Sequence, residues 1–109
     1  GRRRVPPENS LVLDATLVAR DALRHTPAGI PALECTLDHR SVQREAGSAR
    51  RVECEMHAIA FADVALALDR CKIGTTLHCE GFVARRYRTG TSIALHVTGF
   101  AEIDTTKGN

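Results

Sequence analysis

The chain has no tryptophan, one tyrosine and three phenylalanines, and of its 15 basic residues only Lys72 and Lys107 are lysine. The scarcity of lysine makes the positive charge almost wholly guanidinium, a group that can bind a phosphate through two parallel hydrogen bonds and also lie flat on an exposed base. No apolar run approaches membrane-spanning length, which argues against a membrane helix. The stretch Gly1-Arg2-Arg3-Arg4-Val5-Pro6-Pro7 lacks the hydrophobic segment of a secretory signal, so a cytoplasmic protein is expected. The cysteines, at 35, 54, 71 and 79, form no Cys-x-x-Cys pair, and none of the five histidines has the i, i+4 spacing of a helical metal pair. No metal and no cofactor are expected. Nor does a Ser-His-Asp or Cys-His arrangement, a phosphate loop or a carboxylate pair stand out, so no enzyme and no catalytic residue are expected.

At 109 residues there is room for one hydrophobic core. A net charge of +2 is too small to point to a polyanion on its own, so the location of the charge carries the reading. Arg40, Arg44, Arg50 and Arg51 stand against the single acid Glu45 in one stretch, and Arg85, Arg86 and Arg88 surround Tyr87 in another. Both read as loops between strands, and such loops suit a strand whose bases are unpaired. Each reading has a plainer competitor. The last loop also fits a solvated hairpin tip, Arg40 also fits an ion pair with Asp38 or Glu45, and Tyr87 also fits a cover over one end of a barrel.

Period-two alternation predicts strands at Leu11 to Val18, Ala32 to His39, Arg51 to Ile59, Thr75 to Ala84 and Ser92 to Ile103. Cys35, Cys54 and Cys79 fall on the apolar phase, where a reduced cysteine acts as a small hydrophobe. In the last strand Ile93, Leu95, Val97, Ala101 and Ile103 take the inward phase. His25 to Pro31 reads as a hairpin turn, and Ser41 to Arg50, which has no apolar period, as a flexible loop. Ala62 to Cys71 changes period and predicts a short helix, with Gly74 beyond its end. Gly81 is placed where a small barrel must bend. The expected architecture is all-β: a five-stranded OB-fold barrel over residues 9–104, with one short helix between the third and fourth strands. Residues 1–8 and 105–109 read as disordered ends.

Arg24-His25-Thr26-Pro27-Ala28-Gly29-Ile30-Pro31 and Asn9-x-Leu11-x-Leu13 resemble the first hairpin of bacterial single-stranded DNA-binding proteins. The run from Leu37 to Gly47, with Asp38-His39-Arg40-Ser41-Val42-Gln43-Arg44-Glu45-Ala46 between them, resembles primosomal replication protein N, the PriB family. Ile73-Gly74 and Glu80-Gly81-Phe82 continue the similarity, which spans Asn9 to Asp104. The resemblance implies a homodimeric OB-fold, without catalysis, that binds single-stranded DNA. It also implies that the protein joins a replication-restart helicase to a helicase-loading primosome protein. Arg24, Arg40, Arg86 and Arg88 are the positions it carries over as DNA contacts, with Arg44, Arg50, Arg51, Arg85 and Tyr87 added from the basic stretches. Some relatives place aromatics in or beside the long loop, where this chain has Ser48 and Glu53. A protein-interaction barrel with weak or no DNA binding is therefore the alternative. Val12, Val18 and Phe82 take the outward phase of their strands; burial in a dimer would account for them, and cover by the chain ends or the loops is the plainer alternative.

Overall fold

Where one face of a strand meets the core, its apolar residues alternate. The computed structural model describes residues 7–103, so the tail 105–109 and all of the expected N-terminal arm but Pro7 and Glu8 lie outside the described residues. The elements are β1 (Leu11–Arg20), β2 (Arg24–His25), β3 (Pro31–Glu45), β4 (Ser48–Phe61), α1 (Ala62–Asp69), β5 (Thr76–Arg85) and β6 (Ile93–Glu102). The sheet runs β1-β5-β6-β4-β3-β2, and β1 also pairs with β3, so five strands close on themselves while β2 adds a short edge outside β3. All pairings are antiparallel except β4 with β6, the contact that closes a mixed barrel. The helix sits between the third and fourth barrel strands. Leu17, Leu33, Leu37, Leu77 and Leu95 fill the interior, and Leu68 of α1 joins them. Each fully buried leucine contributes about 1.5–3 kcal/mol.

Ser41 to Arg50 is not a loop. β3 and β4 stay in register from Ala32↔Phe61 to Glu45↔Ser48, leaving only Ala46 and Gly47 to turn. Both have positive φ, 53° and 80°, which suits a two-residue hairpin turn whose twist matches the strands. The result is an arm in which neither face is buried, so neither strand carries the apolar alternation that marks a half-buried strand. His39 pins the root of this arm. Its Nδ1 donates to the Asp14 carbonyl at 2.7 Å, since a carbonyl can only accept, and its Nε2 lies 2.8 Å from the Ser41 hydroxyl. Gln43 in turn donates to Ser41 at 3.0 Å.

Three inward assignments need correction. Cys35 and Cys79 are buried, but Cys54 is exposed because it lies on the projecting part of β4, opposite His39. In β6, Glu80↔Gly99 is followed by Gly81↔Val97, which makes Thr98 a bulge residue. The bulge reverses the side-chain phase, so Phe100 packs on the core in place of Ala101, which is exposed. Ile93 is exposed as well: it pairs with Arg85, at the last rung of the β5–β6 ladder. Gly81 sits beside the bulge, and a Cβ there would run into the His96 carbonyl, so close backbone approach is what requires glycine at this position. Asn9 fixes the start of the barrel by exchanging two hydrogen bonds with the Val83 backbone, at 2.8 and 2.9 Å.

Candidate nucleic-acid interface

Residues opposite one another on β3 and β4 share a face. Leu33, Cys35 and Leu37 point inward with Ala60, Ala58 and Met56, so Glu34 and Thr36 point outward with Ile59 and His57. On this outer face Glu34 accepts from His57 Nε2 at 2.8 Å through Oε1 and from Arg24 at 2.9 Å through Oε2. The His57 hydrogen bond holds the Glu34 carboxyl below its ordinary value of 4.5; burial opposes this and Arg24 adds to it. Arg85 and Arg86, from the end of β5 and the residue after it, reach the same place. With Arg24, Glu34, His57, Ile59, Ala94 and His96 they line a cleft of about 170 Å³. Beside it, the His96 ring stacks on Phe82 at 4.8 Å and lies 6.2 Å from Phe61.

Of the nine expected DNA contacts, Arg24, Arg85 and Arg86 are therefore brought together. Tyr87, 57% exposed, follows directly, with the Arg86 guanidinium 5.0 Å from its ring centre, and Arg88 is exposed in the same loop. The loop closes through Arg86 N–H to the Ser92 carbonyl at 2.8 Å. The other four arginines lie on the arm. Arg44, at its tip, is ten residues along β3 from Glu34, about 30 Å at strand spacing. Arg44 and Arg51 share the outer face, whereas Arg50 pairs with Gln43 on the opposite one. Arg50 meets Glu45 at 3.2 Å, and Arg44 donates to the Gly47 carbonyl at 3.1 Å. Arg40 donates to Asp38 at 2.9 Å and stands 3.8 Å from Glu53, so the ion-pair reading holds with Glu53 in place of Glu45. Asp38 raises the Arg40 pKa further above its ordinary value, and Glu53 adds to the effect.

Glu34, His57, Ile59, Phe61 and His96 are site residues that no sequence motif marks. The signal available was the apolar pair Ile59 and Phe61 on the outward phase of a strand that runs two residues beyond its expected end. Val12 and Phe82 share the outer face of β1 and β5, where Val12 opposes Glu80, and they are 61% and 38% exposed. Val18 is the extra residue of a β1 bulge between Leu17 and Ala19, about 20 Å along the strand from Val12.

A closed mixed barrel with one helix is the fold of single-strand binding proteins. Residues 9–99 match the family model described as "Another single-strand binding protein family". A single-stranded DNA-binding protein from Thermus aquaticus superposes with a TM-score of 0.72 at 21% identity, covering 91% of this chain and 52% of that one, a likeness of fold. The replication restart protein PriB of Bordetella pertussis is 43% identical over 89 residues, 82% of this chain and 83% of that protein. The PriB of Nitrosomonas europaea is 37% identical over 89 residues, 82% of each chain. The solved structure of PriB from Ralstonia solanacearum superposes with a TM-score of 0.82 at 38% identity, covering 88% of this chain and 98% of that one. The chain belongs to the replication restart protein PriB family.

Proposed function

We propose that this protein binds single-stranded DNA as a non-catalytic accessory of replication restart. The observation that carries this reading is the convergence of Arg24, Arg85 and Arg86, from opposite ends of the chain, on one cleft with apolar walls and an aromatic strip beside it. Guanidinium groups at the rim suit phosphates, while Tyr87 and the Phe61 and His96 rings suit unpaired bases. The arm tip, with Arg44 and Arg51, gives the strand a second point of attachment. Membership of the family supports a role in joining DNA to a restart helicase and a helicase-loading partner, a cytoplasmic location and a homodimer using Val12, Val18 and Phe82. Titration of labelled oligonucleotides by fluorescence anisotropy at several salt concentrations tests the reading. Affinity should fall log-linearly with salt, and single strands should bind more tightly than duplex of equal length. A flat salt dependence, or tighter binding to duplex, overturns it.

The second reading, a protein-docking barrel, draws on one feature. Asp38 and Glu55 oppose each other on the outer face, next to the Arg40 and Glu53 pair, and so interpose negative charge between the cleft and the arm tip. On that reading oligonucleotides bind weakly at every salt concentration.

A further inference from the structure

A carboxylate in the middle of a phosphate-binding surface works against the phosphate. Glu34 stands in the cleft with three guanidinium groups, its side chain 27% exposed, so it is open to whatever enters. As a counter-charge for Arg24 alone it could sit anywhere on the exposed rim. Instead it is braced from two sides, by His57 at 2.8 Å and Arg24 at 2.9 Å, with one protein donor on each oxygen. An ionised carboxylate only accepts, and its two oxygens offer about four lone-pair sites, so each retains capacity for one more donor. The accessible walls are Ile59 and the His96 imidazole, which suit the flat face of a ring.

We propose that this cleft takes a nucleobase, with the phosphates on its arginine rim, and that Glu34 makes it selective for guanine. The assignment rests on the single-stranded DNA reading above and deepens it. Guanine presents two adjacent donors, N1–H and the N2 amino group, which match the two oxygens of one carboxylate. Thymine presents one N–H between two carbonyl oxygens, and those oxygens would face the negative charge. Cytosine and adenine each pair one amino donor with a ring-nitrogen acceptor and fall between. The depressed Glu34 pKa keeps the acceptor ionised at neutral pH, and the His57 and Arg24 hydrogen bonds hold it in place. A base reader built this way combines a general grip on the backbone with a preference at one position along the strand.

The test uses the full chain and three labelled strands of equal length: homothymidine, the same strand with guanine substituted at intervals, and that strand with inosine replacing guanine. Inosine keeps N1–H and lacks the N2 amino group. The guanine strand should bind about fivefold or more tightly than homothymidine, the lower end of what a two-point base-edge contact supplies, with inosine between. Glu34→Gln should bring the three affinities together, and a thermal melt matching that of the parent shows that the lost preference is not a lost fold. Equal binding of guanine and thymine strands by the parent overturns the assignment and leaves single-strand binding standing, as does a guanine preference that survives in Glu34→Gln. Failure of the parent to bind any of the strands overturns the DNA-binding reading, and the base assignment with it.

Discussion

The Arg20 guanidinium, on β1, donates to the backbone carbonyl of Cys71, two residues past the end of α1. The same nitrogen lies 3.3 Å from the Leu68 carbonyl, and Nε lies 3.8 Å from Asp69. The last turn of α1 has no basic residue of its own, so a strand residue supplies the positive charge that its C-terminal carbonyls favour. Arg20→Met should lower stability by about 1–3 kcal/mol, since charged hydrogen bonds to half-buried carbonyls are lost. Thermal melts should show a drop of roughly 4–8 °C per kcal/mol for a domain of this size. A variant that melts with the parent would show that α1 needs no such cap.

Three of the four cysteines should be chemically silent in the folded protein. Burial pushes the Cys35 thiol up to about 12 and the Cys79 thiol to about 11, and it raises Cys71 as well. The thiolate is the reactive form, so an aromatic disulfide reagent at neutral pH should label Cys54 rapidly and the other three only after unfolding. The same shifts fix an alkaline trend. A thiol whose folded pKa is raised favours the folded state fully below the ordinary value of 9.0, and that advantage is lost as pH climbs toward about 12. Denaturation midpoints should fall across that window, less steeply in Cys35→Ala. Rapid labelling of more than one thiol in the native protein would contradict the packing described.

The legible parts of this fold are those where water lies on only one side. Leu33, Cys35 and Leu37 alternate with Glu34 and Thr36 because the core selects one face, and the barrel follows from that. Along the arm Val42 is 66% exposed and the opposite face is exposed too, so solvent selects nothing and the strand reads as a loop. The Thr98 bulge depends on how β6 meets Gly81, a long-range contact with no local signature, and the phase of Phe100 and Ala101 turns on it. The candidate site divides along the same line. Arg85, Arg86 and Arg88 announce themselves by adjacency, whereas the Arg24, Glu34 and His57 constellation exists only once β2, β3 and β4 are side by side.

Val12 supplies a test of assembly. It lies on the outer face of β1 with 61% of its surface exposed, beside Phe82, an apolar pair that the proposed dimer would cover. Sedimentation at low micromolar concentration should give a dimer, and Val12→Asp should give a folded monomer. A parent protein that sediments as a monomer removes the dimer and, with it, the explanation of these side chains.

Arg40 and Arg86 should behave differently despite equal charge. Arg40 is already held by Asp38 at 2.9 Å and flanked by Glu53, so a phosphate must displace a carboxylate before gaining anything. No carboxylate partner of Arg86 is present among the described residues. Arg86→Ala should therefore lower affinity and reduce the magnitude of the salt slope by about 0.7, the value for one phosphate contact on a single strand. Arg40→Ala should leave the slope nearly unchanged. Equal changes in slope would show that Arg40 exchanges its carboxylates for the backbone.

Tyr87 separates stacking from charge. The residue is 57% exposed and the Arg86 guanidinium lies 5.0 Å from its ring centre, an arrangement that holds the cation beside a free aromatic surface. If a base stacks on that surface, Tyr87→Ala should weaken single-strand binding by roughly 1–3 kcal/mol while leaving the salt slope close to that of the parent, since no phosphate contact is removed. Tyr87→Phe should retain nearly all of the affinity, because stacking needs the ring and not the hydroxyl. Should Tyr87 act only by holding Arg86 in place, Tyr87→Ala would instead reproduce Arg86→Ala, reducing affinity and slope together. The slope decides between the two roles. A Tyr87→Ala variant that binds like the parent and keeps its melting temperature would exclude both, leaving the loop to act through its arginines alone.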